Sequence, residues 1–237
     1  MGKAKFKKPL ILAILFLLPV TFLLFLYPST HNYNTLDIVH GPVNDISGYL
    51  SASERDLDFS DNISVLLFLG DDPKRRAIGA LNVKELVYDK FKGFKRFQVI
   101  ALVGEGSKTS LEELKKELYQ YDQLEYWHFL ELNPVQTLDI FDGLKADGNL
   151  EDDQFYEGLF ILDKDLMQRG RLDDRSKNEL KEEKAVYGLS EYSTIEVSEL
   201  KNKLSDDLRI LFTEYRQKRK GEFDSSTRRS DDIKTDE

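Results

Sequence analysis

Two almost uninterrupted apolar runs constrain the fold of this chain more than any other feature. Ile63–Gly70 and Phe97–Val103 are each about the length of a strand, and a strand without polar alternation is typical of a sheet that is covered on both faces. Between these runs, residues 74–93 carry apolar side chains at helical spacing. The pattern therefore predicts a central sheet flanked by helices.

The rest of the domain continues this alternation. Ser110 and Glu113 form a capping-box pattern that predicts the start of a second helix. The later elements, in chain order, are a strand at 126–130, a helix at 134–144, a hairpin between 159 and 172, and a closing helix at 198–219. Strands that alternate with helices and end in a hairpin and a helix describe an α/β sandwich with a mixed sheet. The thioredoxin fold has this order of elements, although periodicity alone leaves the topology open.

A long uncharged segment precedes this domain. Leu10 to Tyr27 contains eighteen residues without a charge, about the helix length that crosses a hydrocarbon core of roughly 30 Å. A cleaved signal peptide is the alternative reading, but residues 27–30 offer no small-residue cleavage site. Four lysines and no acid within residues 1–8 predict a cytoplasmic N-terminus. We therefore expect an anchor in the inner membrane and a domain on its outer, periplasmic side.

The predicted boundaries follow from these patterns. About 190 residues lie between the anchor and the polar tail, which is enough for one well-cored domain. In chain order, we expect a basic cytoplasmic segment at 1–8, a transmembrane anchor at 9–27, a stalk and lead-in at 28–60, a thioredoxin-like domain at 61–219 and a disordered tail at 220–237.

Charge and composition exclude several classes of function. The chain has a net charge of −9 even with the four N-terminal lysines included, so the domain itself is strongly acidic and repels nucleic acid. The sequence contains no cysteine, which excludes thiol redox chemistry, thiolate metal sites and cysteine nucleophiles. We expect no cofactor and no enzymatic activity.

Several motifs, in the same order, resemble the Sco (SenC) family, the thioredoxin-fold copper-insertion proteins of cytochrome c oxidase. They are Phe68–Pro73 at the family's active-site turn, Trp127–Leu130 in its WHFLTG segment, Phe160–Lys164 with Arg169-Gly170 in its hairpin, and Glu196–Leu211 in its closing helix. The resemblance covers roughly residues 60–216. It implies a thioredoxin-like fold behind a single N-terminal anchor, with a role near a respiratory complex.

The copper ligands of that family are missing. Sco proteins bind copper through a Cys-x-x-x-Cys turn and a histidine before a later strand. At the turn, this chain has Asp72 and Arg76 at the thiolate positions with Pro73 between them, and residues 154–157 contain no histidine. Copper(I) prefers soft sulfur ligands, which neither side chain supplies. The resemblance therefore implies a degenerate site with no catalytic residue and no metal ligand.

The degenerate turn carries a dense cluster of charge. Asp71, Lys74 and Arg75 lie beside Asp72 and Arg76. These side chains are candidates for the recognition of a charged partner or an anion. The alternative is a solvated helix start, where the helix dipole favours acids near the N-terminus.

The leading hypothesis is a membrane-anchored, redox-inactive Sco-like protein that serves as a binding or assembly factor for cytochrome oxidase or another respiratory complex. One alternative is a copper-handling protein with histidine and carboxylate ligands, for which His31 and His40 are the candidates. Another is a stable accessory subunit of a membrane complex. His128, inside an aromatic strand, is expected at the core or at a sheet edge.

Overall fold

The structure, a computed structural model, describes residues 7–26, 35–50, 57–120 and 123–220. The chain divides into two compact units, residues 1–34 and residues 35–237. Most of the predicted cytoplasmic segment, the candidate ligand His31 and the predicted tail after residue 220 lie outside the described residues.

The first unit contains one described helix, α1, at Lys7–Leu26 with Pro19 inside it. Its side chains are described for residues 12–22, and Phe16 and Phe22 are more than half exposed. Within the part of the chain that the structure describes, no helix combines the length and the apolar character needed to cross a membrane. The anchor at 9–27 stays a prediction from the sequence.

The second unit alternates strands and helices. Its strands are β1 Asp37–His40, β2 Ile63–Gly70, β3 Phe97–Gly104, β4 Trp127–Leu132, β5 Phe155–Leu162, β6 Gln168–Gly170 and β7 Tyr192–Ser193. Its α-helices are α2 Ala77–Val83, α3 Asp89–Phe91, α4 Lys108–Leu118, α5 Pro134–Asp142, α6 Lys177–Lys181, α7 Val197–Glu199 and α8 Ser205–Lys220. Short 3-10 turns lie at Ile46–Tyr49 and Pro73–Arg76, and π-helical turns lie at Lys84–Tyr88 and Leu200–Leu204.

The strands form one mixed sheet in the order β1-β6-β5-β2-β3-β4, and β7 pairs with β5. β2, β3 and β4 are parallel to one another, whereas β5 runs antiparallel to both β2 and β6. A β-α-β unit is thus followed by an antiparallel hairpin and a final helix, with the order β3-β2-β5-β6 at the centre of the sheet. This is the topology of the thioredoxin fold, and β4 with α5 extends it at one edge. The predicted helix-flanked mixed sheet is confirmed.

The core lies on both faces of the sheet because residues of β2 point alternately to the two sides. Val65 and Leu67 pack with α4 and α8 on one face, whereas Leu66 and Phe68 pack with α5 on the other. The predicted apolar stripe of the closing helix is buried on the first face, at Leu200, Leu204, Leu208 and Leu211. The uninterrupted apolar runs are therefore explained by a sheet with a core on each side.

The structure corrects the boundary of the predicted stalk. Residues 35–50 and 57–60 of the predicted stalk belong to the second unit, because β1 pairs antiparallel with β6. Val43, Ile46 and Phe59 of this segment are buried in the core on the α5 side. Glycine and proline break the periodicity of this segment but do not prevent it from packing.

A buried ion cluster joins β6 to the last helix. The Arg169 side chain is 1% exposed, and its Nη2 donates to Glu214 Oε1 at 2.7 Å. Its Nε lies 2.9 Å from Asp163 Oδ2, and its Nη1 donates to the carbonyl of Leu36 at 2.8 Å. One cation therefore links β5, β6, α8 and the segment that leads into β1.

Candidate functional site

The predicted site is the turn that follows β2, which we call the β2 turn and define as residues 70–76. Gly70 has φ +70°, and a Cβ at this position would lie 2.4 Å from the carbonyl oxygen of Asp153. The next amide, that of Asp71, donates to the same carbonyl at 2.8 Å. The β2 turn is thus held against the segment that leads into β5, and only glycine fits its first position.

Asp72 and Pro73 connect the β2 turn to α4. The hydroxyl of Ser110 donates to the carboxylate of Asp72 and accepts a hydrogen bond from the amide of Lys74 at 3.0 Å. Pro73 is buried at the first position of the 3-10 turn, where a missing N–H costs nothing. The Lys74 ammonium forms an ion pair with Glu117 on α4.

These contacts also explain why the predicted capping box is wrong. α4 begins at Lys108 after Ser107, so Ser110 already lies inside the helix and does not cap it. Its hydroxyl serves Asp72 and Lys74, more than thirty residues earlier in the chain. A capping motif describes only local bonds and cannot anticipate a tertiary partner.

Arg76 points away from α4, toward the segment before β5. Its guanidinium donates to Glu151 Oε2 at 3.0 Å and to Asp153 Oδ2 at 3.3 Å, and its Cζ lies 3.6 Å from the centroid of the Phe155 ring. Arginine stacks well on aromatic faces while it binds carboxylates with its edge. The two residues at the family's thiolate positions, Asp72 and Arg76, therefore contact different parts of the molecule.

Asp71 completes this arrangement. Its Oδ1 accepts a hydrogen bond from Nε2 of Gln154 at 2.8 Å, and Gln154 has φ +62°, an uncommon conformation for a residue with a side chain. The same carboxylate oxygen lies against Gly104, where an added Cβ would be 1.9 Å away. The ends of β2 and β3 and the start of β5 thus meet at Asp71.

A cavity of about 230 Å³ lies beside the β2 turn. Its walls include the apolar residues Leu67, Leu69 and Ala80, and its rim carries Arg75, Ile78 and Ile195. The side chain of Ile78 is 68% exposed and that of Ile195 is 47% exposed. The cavity offers apolar surface beside a cation, an arrangement that can bind a partner side chain.

The structure brings all six predicted residues together on one turn and assigns them different roles. Asp71, Asp72, Lys74 and Arg76 are held by neighbouring segments, which corrects the view of a purely solvated helix start. Arg75 is exposed and lines the cavity. Sequence reasoning missed Gln154 and Phe155 and gave Ser110 only a capping role, because each reaches the turn through tertiary contacts.

The described residues do not form a recognisable metal site. No group of three or more histidine, aspartate or glutamate side chains with a suitable arrangement occurs among the described residues. His40 is exposed on β1, and its candidate partner His31 lies outside the described ranges. His128 lies half-buried on the edge strand β4, as expected, and burial lowers the pKa of its imidazole.

Comparisons with known proteins do not identify a family. No protein-family model matches the chain, and no curated protein matches its sequence. Among solved structures, the chain is similar to a yeast mitochondrial 1-Cys peroxiredoxin, described for its thiol-resolving mechanism via glutathione/thioredoxin systems. The identity is 17%, the match covers 67% of this chain and 70% of that one, and the TM-score is 0.35. This likeness is too weak to define the fold, which the strand order and strand directions define instead.

Proposed function

We propose that this protein is a redox-inactive, non-enzymatic binding protein of the thioredoxin-like fold, related to the Sco family. Its segment 9–27 holds it at the outer face of the inner membrane, where it acts as an assembly factor for a respiratory complex such as cytochrome oxidase. The main observation behind this proposal is the composition and the bonding of the β2 turn. Charged residues that are bonded to neighbouring segments replace the thiols, and a partly apolar cavity lies beside them.

The bonds of the β2 turn favour recognition over chemistry. Asp72 is bonded to Ser110 and Arg76 to Glu151 and Asp153, so these side chains hold the turn in one conformation. A preformed surface loses little conformational entropy when a partner binds. Neither side chain is a nucleophile that the fold presents to a substrate, and the chain has no cysteine.

The rim of the cavity supplies the contact surface in this proposal. Ile78 and Ile195 expose apolar side chains beside the guanidinium of Arg75. Exposed apolar side chains grouped around a concavity are typical of interaction sites. An aliphatic side chain of a partner would fill the cavity while an acidic group next to it pairs with Arg75.

Affinity capture from detergent-solubilised membranes of the source organism tests this function. We expect the full chain to enrich subunits of a respiratory oxidase, and the Ile78→Asp variant to lose them because a charge replaces apolar contact surface. Val135→Asp is the matched control, because Val135 is 77% exposed on α5, away from the cavity. Absence of every respiratory or assembly protein from the captured material would contradict the proposal.

The same experiment separates an assembly factor from an accessory subunit. An accessory subunit co-purifies with the mature complex at a fixed stoichiometry through successive columns, whereas an assembly factor is enriched with incomplete complexes and is lost from the mature enzyme. We expect this protein to behave as an assembly factor does.

Membrane attachment has its own test. We expect the full chain to sediment with membranes after a carbonate wash and a variant without residues 1–27 to stay in the supernatant. A full chain that is extracted by carbonate would contradict anchoring by this segment, and this outcome is independent of the partner.

A further inference from the structure

A second cleft lies at the opposite end of the parallel strands from the β2 turn. It surrounds the beginning of the edge strand β4 and has a volume of about 580 Å³. Its walls include Arg96, Lys115, Tyr119, Trp127, His128 and Phe129. We call it the β4 cleft. None of these residues belongs to the β2 turn or to the cavity beside it.

The β4 cleft contains three hydrogen-bonding groups without partners among the described residues. The indole Nε1 of Trp127 is buried and unpaired, in a side chain only 3% exposed. The imidazole of His128 and the exposed guanidinium of Arg96 also make no hydrogen bond or ion pair within the described ranges. A buried N–H without an acceptor is unfavourable.

Two acceptors that line the same cleft already have partners inside the protein. The carbonyl of Asp58 accepts from Gln98 Nε2 at 2.6 Å, and its carboxylate accepts from Asn62 Nδ2 at 3.0 Å. Gln98 Nε2 donates in addition to the hydroxyl of Ser64 at 2.8 Å. Because two of these acceptors are used inside the protein and the guanidinium of Arg96 makes no hydrogen bond within the described part of the chain, the cleft suits a ligand that brings acceptors.

The charged side chains that line the β4 cleft favour an anionic ligand. On a chain with a net charge of −9, the β4 cleft is lined by the cations Arg96 and Lys115 and by one acid, Asp58. Burial and the nearby carboxylate of Asp45 raise the pKa of Asp58, while the hydrogen bond from Asn62 and the charge of Arg96 lower it in part. Lys115 Nζ lies 3.0 Å from Glu112. Arg96 forms no ion pair of this kind among the described residues and attracts the carboxylate of Asp58 only at longer range, so Arg96 is the cation more available to an anion.

The aromatic side chains that line the β4 cleft favour a flat ligand. The rings of Trp127 and Phe129 lie 6.2 Å apart, centroid to centroid, and Tyr119 is 40% exposed at the end of α4. Lys115 Nζ lies 5.5 Å from the centroid of Phe129. Aromatic walls favour flat, apolar bodies, which stack with offset or edge-to-face geometry.

We propose that the β4 cleft binds a small planar anion, of the class of aromatic carboxylates. The carboxylate would pair with Arg96, and the ring would pack on Phe129 and Tyr119, beside Trp127. This site is separate from the β2 turn, so its occupancy does not depend on the partner proposed above.

The sequence provides a direct reporter for this site, because Trp127 is the single tryptophan of the chain. We expect 4-hydroxybenzoate to shift the one indole N–H resonance of the full chain in lipid nanodiscs, saturably and with one probe bound per chain. Arg96→Gln should weaken binding about tenfold, the loss expected for one charge-assisted hydrogen bond. Lys116→Gln, a neighbouring lysine outside the cleft, is the matched control and should bind the probe like the wild type.

Two further probes distinguish the proposed chemistry from unspecific adhesion. The neutral 4-hydroxybenzamide should bind at least about tenfold more weakly because it cannot pair with Arg96, and cyclohexanecarboxylate should bind weakly because it cannot stack. An absent or unsaturable shift with 4-hydroxybenzoate would overturn the proposal. Equal affinity for the acid and the amide, or an unchanged affinity in Arg96→Gln, would overturn it as well.

Discussion

Arg169 Nη2 donates to Glu214 Oε1 across 2.7 Å, and the exposed fractions of the two side chains are 1% and 3%. This bond attaches α8 to the hairpin of β5 and β6, while Asp163 lies on the other side of the same guanidinium. Each charge of the cluster is paired, so the burial of one cation between two carboxylates is tolerated. Among the described residues, removal of the cation alone would leave Asp163 without a cationic partner and Glu214 with only the partly exposed Lys218.

Replacement of Arg169 by methionine is therefore expected to be strongly destabilising. The change should lower the free energy of unfolding by about 3–5 kcal/mol, because it leaves the buried carboxylate of Asp163 without its cation. Denaturant titration of the full chain measures this loss. Arg209→Met is the control, since Arg209 pairs with Asp206 at an exposed site and should cost at most about 1 kcal/mol. Equal losses in the two variants would contradict the prediction.

Ser110→Ala tests the link between the β2 turn and α4. The variant removes the donor to Asp72 and the acceptor of the Lys74 amide, at a cost of about 1–2 kcal/mol. We expect hydrogen exchange of the Lys74 amide to become roughly ten times faster, in line with that free energy. Thr109→Ala changes an exposed neighbour without these bonds and should leave the exchange rate unaltered. Unchanged exchange in Ser110→Ala would show that the hydroxyl does not hold the turn.

Gly104→Ala tests the packing around Asp71. An added Cβ would lie 1.9 Å from Asp71 Oδ1, so the carboxylate must move and give up its bond to Gln154. We expect a loss of about 1–3 kcal/mol in the free energy of unfolding, and a clearly smaller loss in an Asp71→Ala background. Gly48→Ala adds a Cβ that meets no neighbouring atom and should be nearly neutral. Strict additivity of Gly104→Ala and Asp71→Ala would contradict the proposed clash.

The pKa of the Glu191 carboxyl can be tested by titration. Burial raises the pKa of its carboxyl above the ordinary value of 4.5, while a hydrogen bond from Tyr156 at 2.7 Å lowers it in part. Removal of this bond in Tyr156→Phe should therefore raise the pKa of Glu191 further, which NMR of the side-chain carboxyl carbon measures directly. A value below 4.5 in the wild type, or a fall in the variant, would contradict this.

The same shift has a consequence for stability. Because the folded state holds this proton to a higher pH than the unfolded state does, the contribution of Glu191 becomes less favourable as the pH rises from 4.5 through its folded pKa. We expect Glu191→Gln to remove this decline. The difference in unfolding free energy between the variant and the wild type should then increase across that window and become constant above it.

The sequence predicted the elements whose burial is periodic or continuous. β2 and β3 are recognisable because both faces of each strand are covered, and the closing helix is recognisable from its buried leucines. β1 escaped detection because four residues with alternating exposure become a strand only through pairing with β6. β7 has two residues and escaped for the same reason. Pairing between distant segments leaves little local signal.

The candidate site was predictable in position but not in its contacts. Asp72 and Arg76 lie on the turn that follows β2. Their partners Ser110, Asp153 and Phe155 lie between 38 and 79 residues further along the sequence, and no local pattern connects them. The β4 cleft had one sequence signal, the aromatic strand around His128, but the cationic side of the cleft comes from Arg96 in another loop.

The pairing of β1 with β6 has a practical meaning for work on isolated fragments. A fragment that starts at residue 61 would lack β1 and leave the outer edge of β6 without its partner. A bare strand edge is a template for other chains, so such a fragment would tend to aggregate. It would also lose the buried side chains of Val43, Ile46 and Phe59. Fragments for crystallisation or interaction assays should therefore begin no later than residue 35.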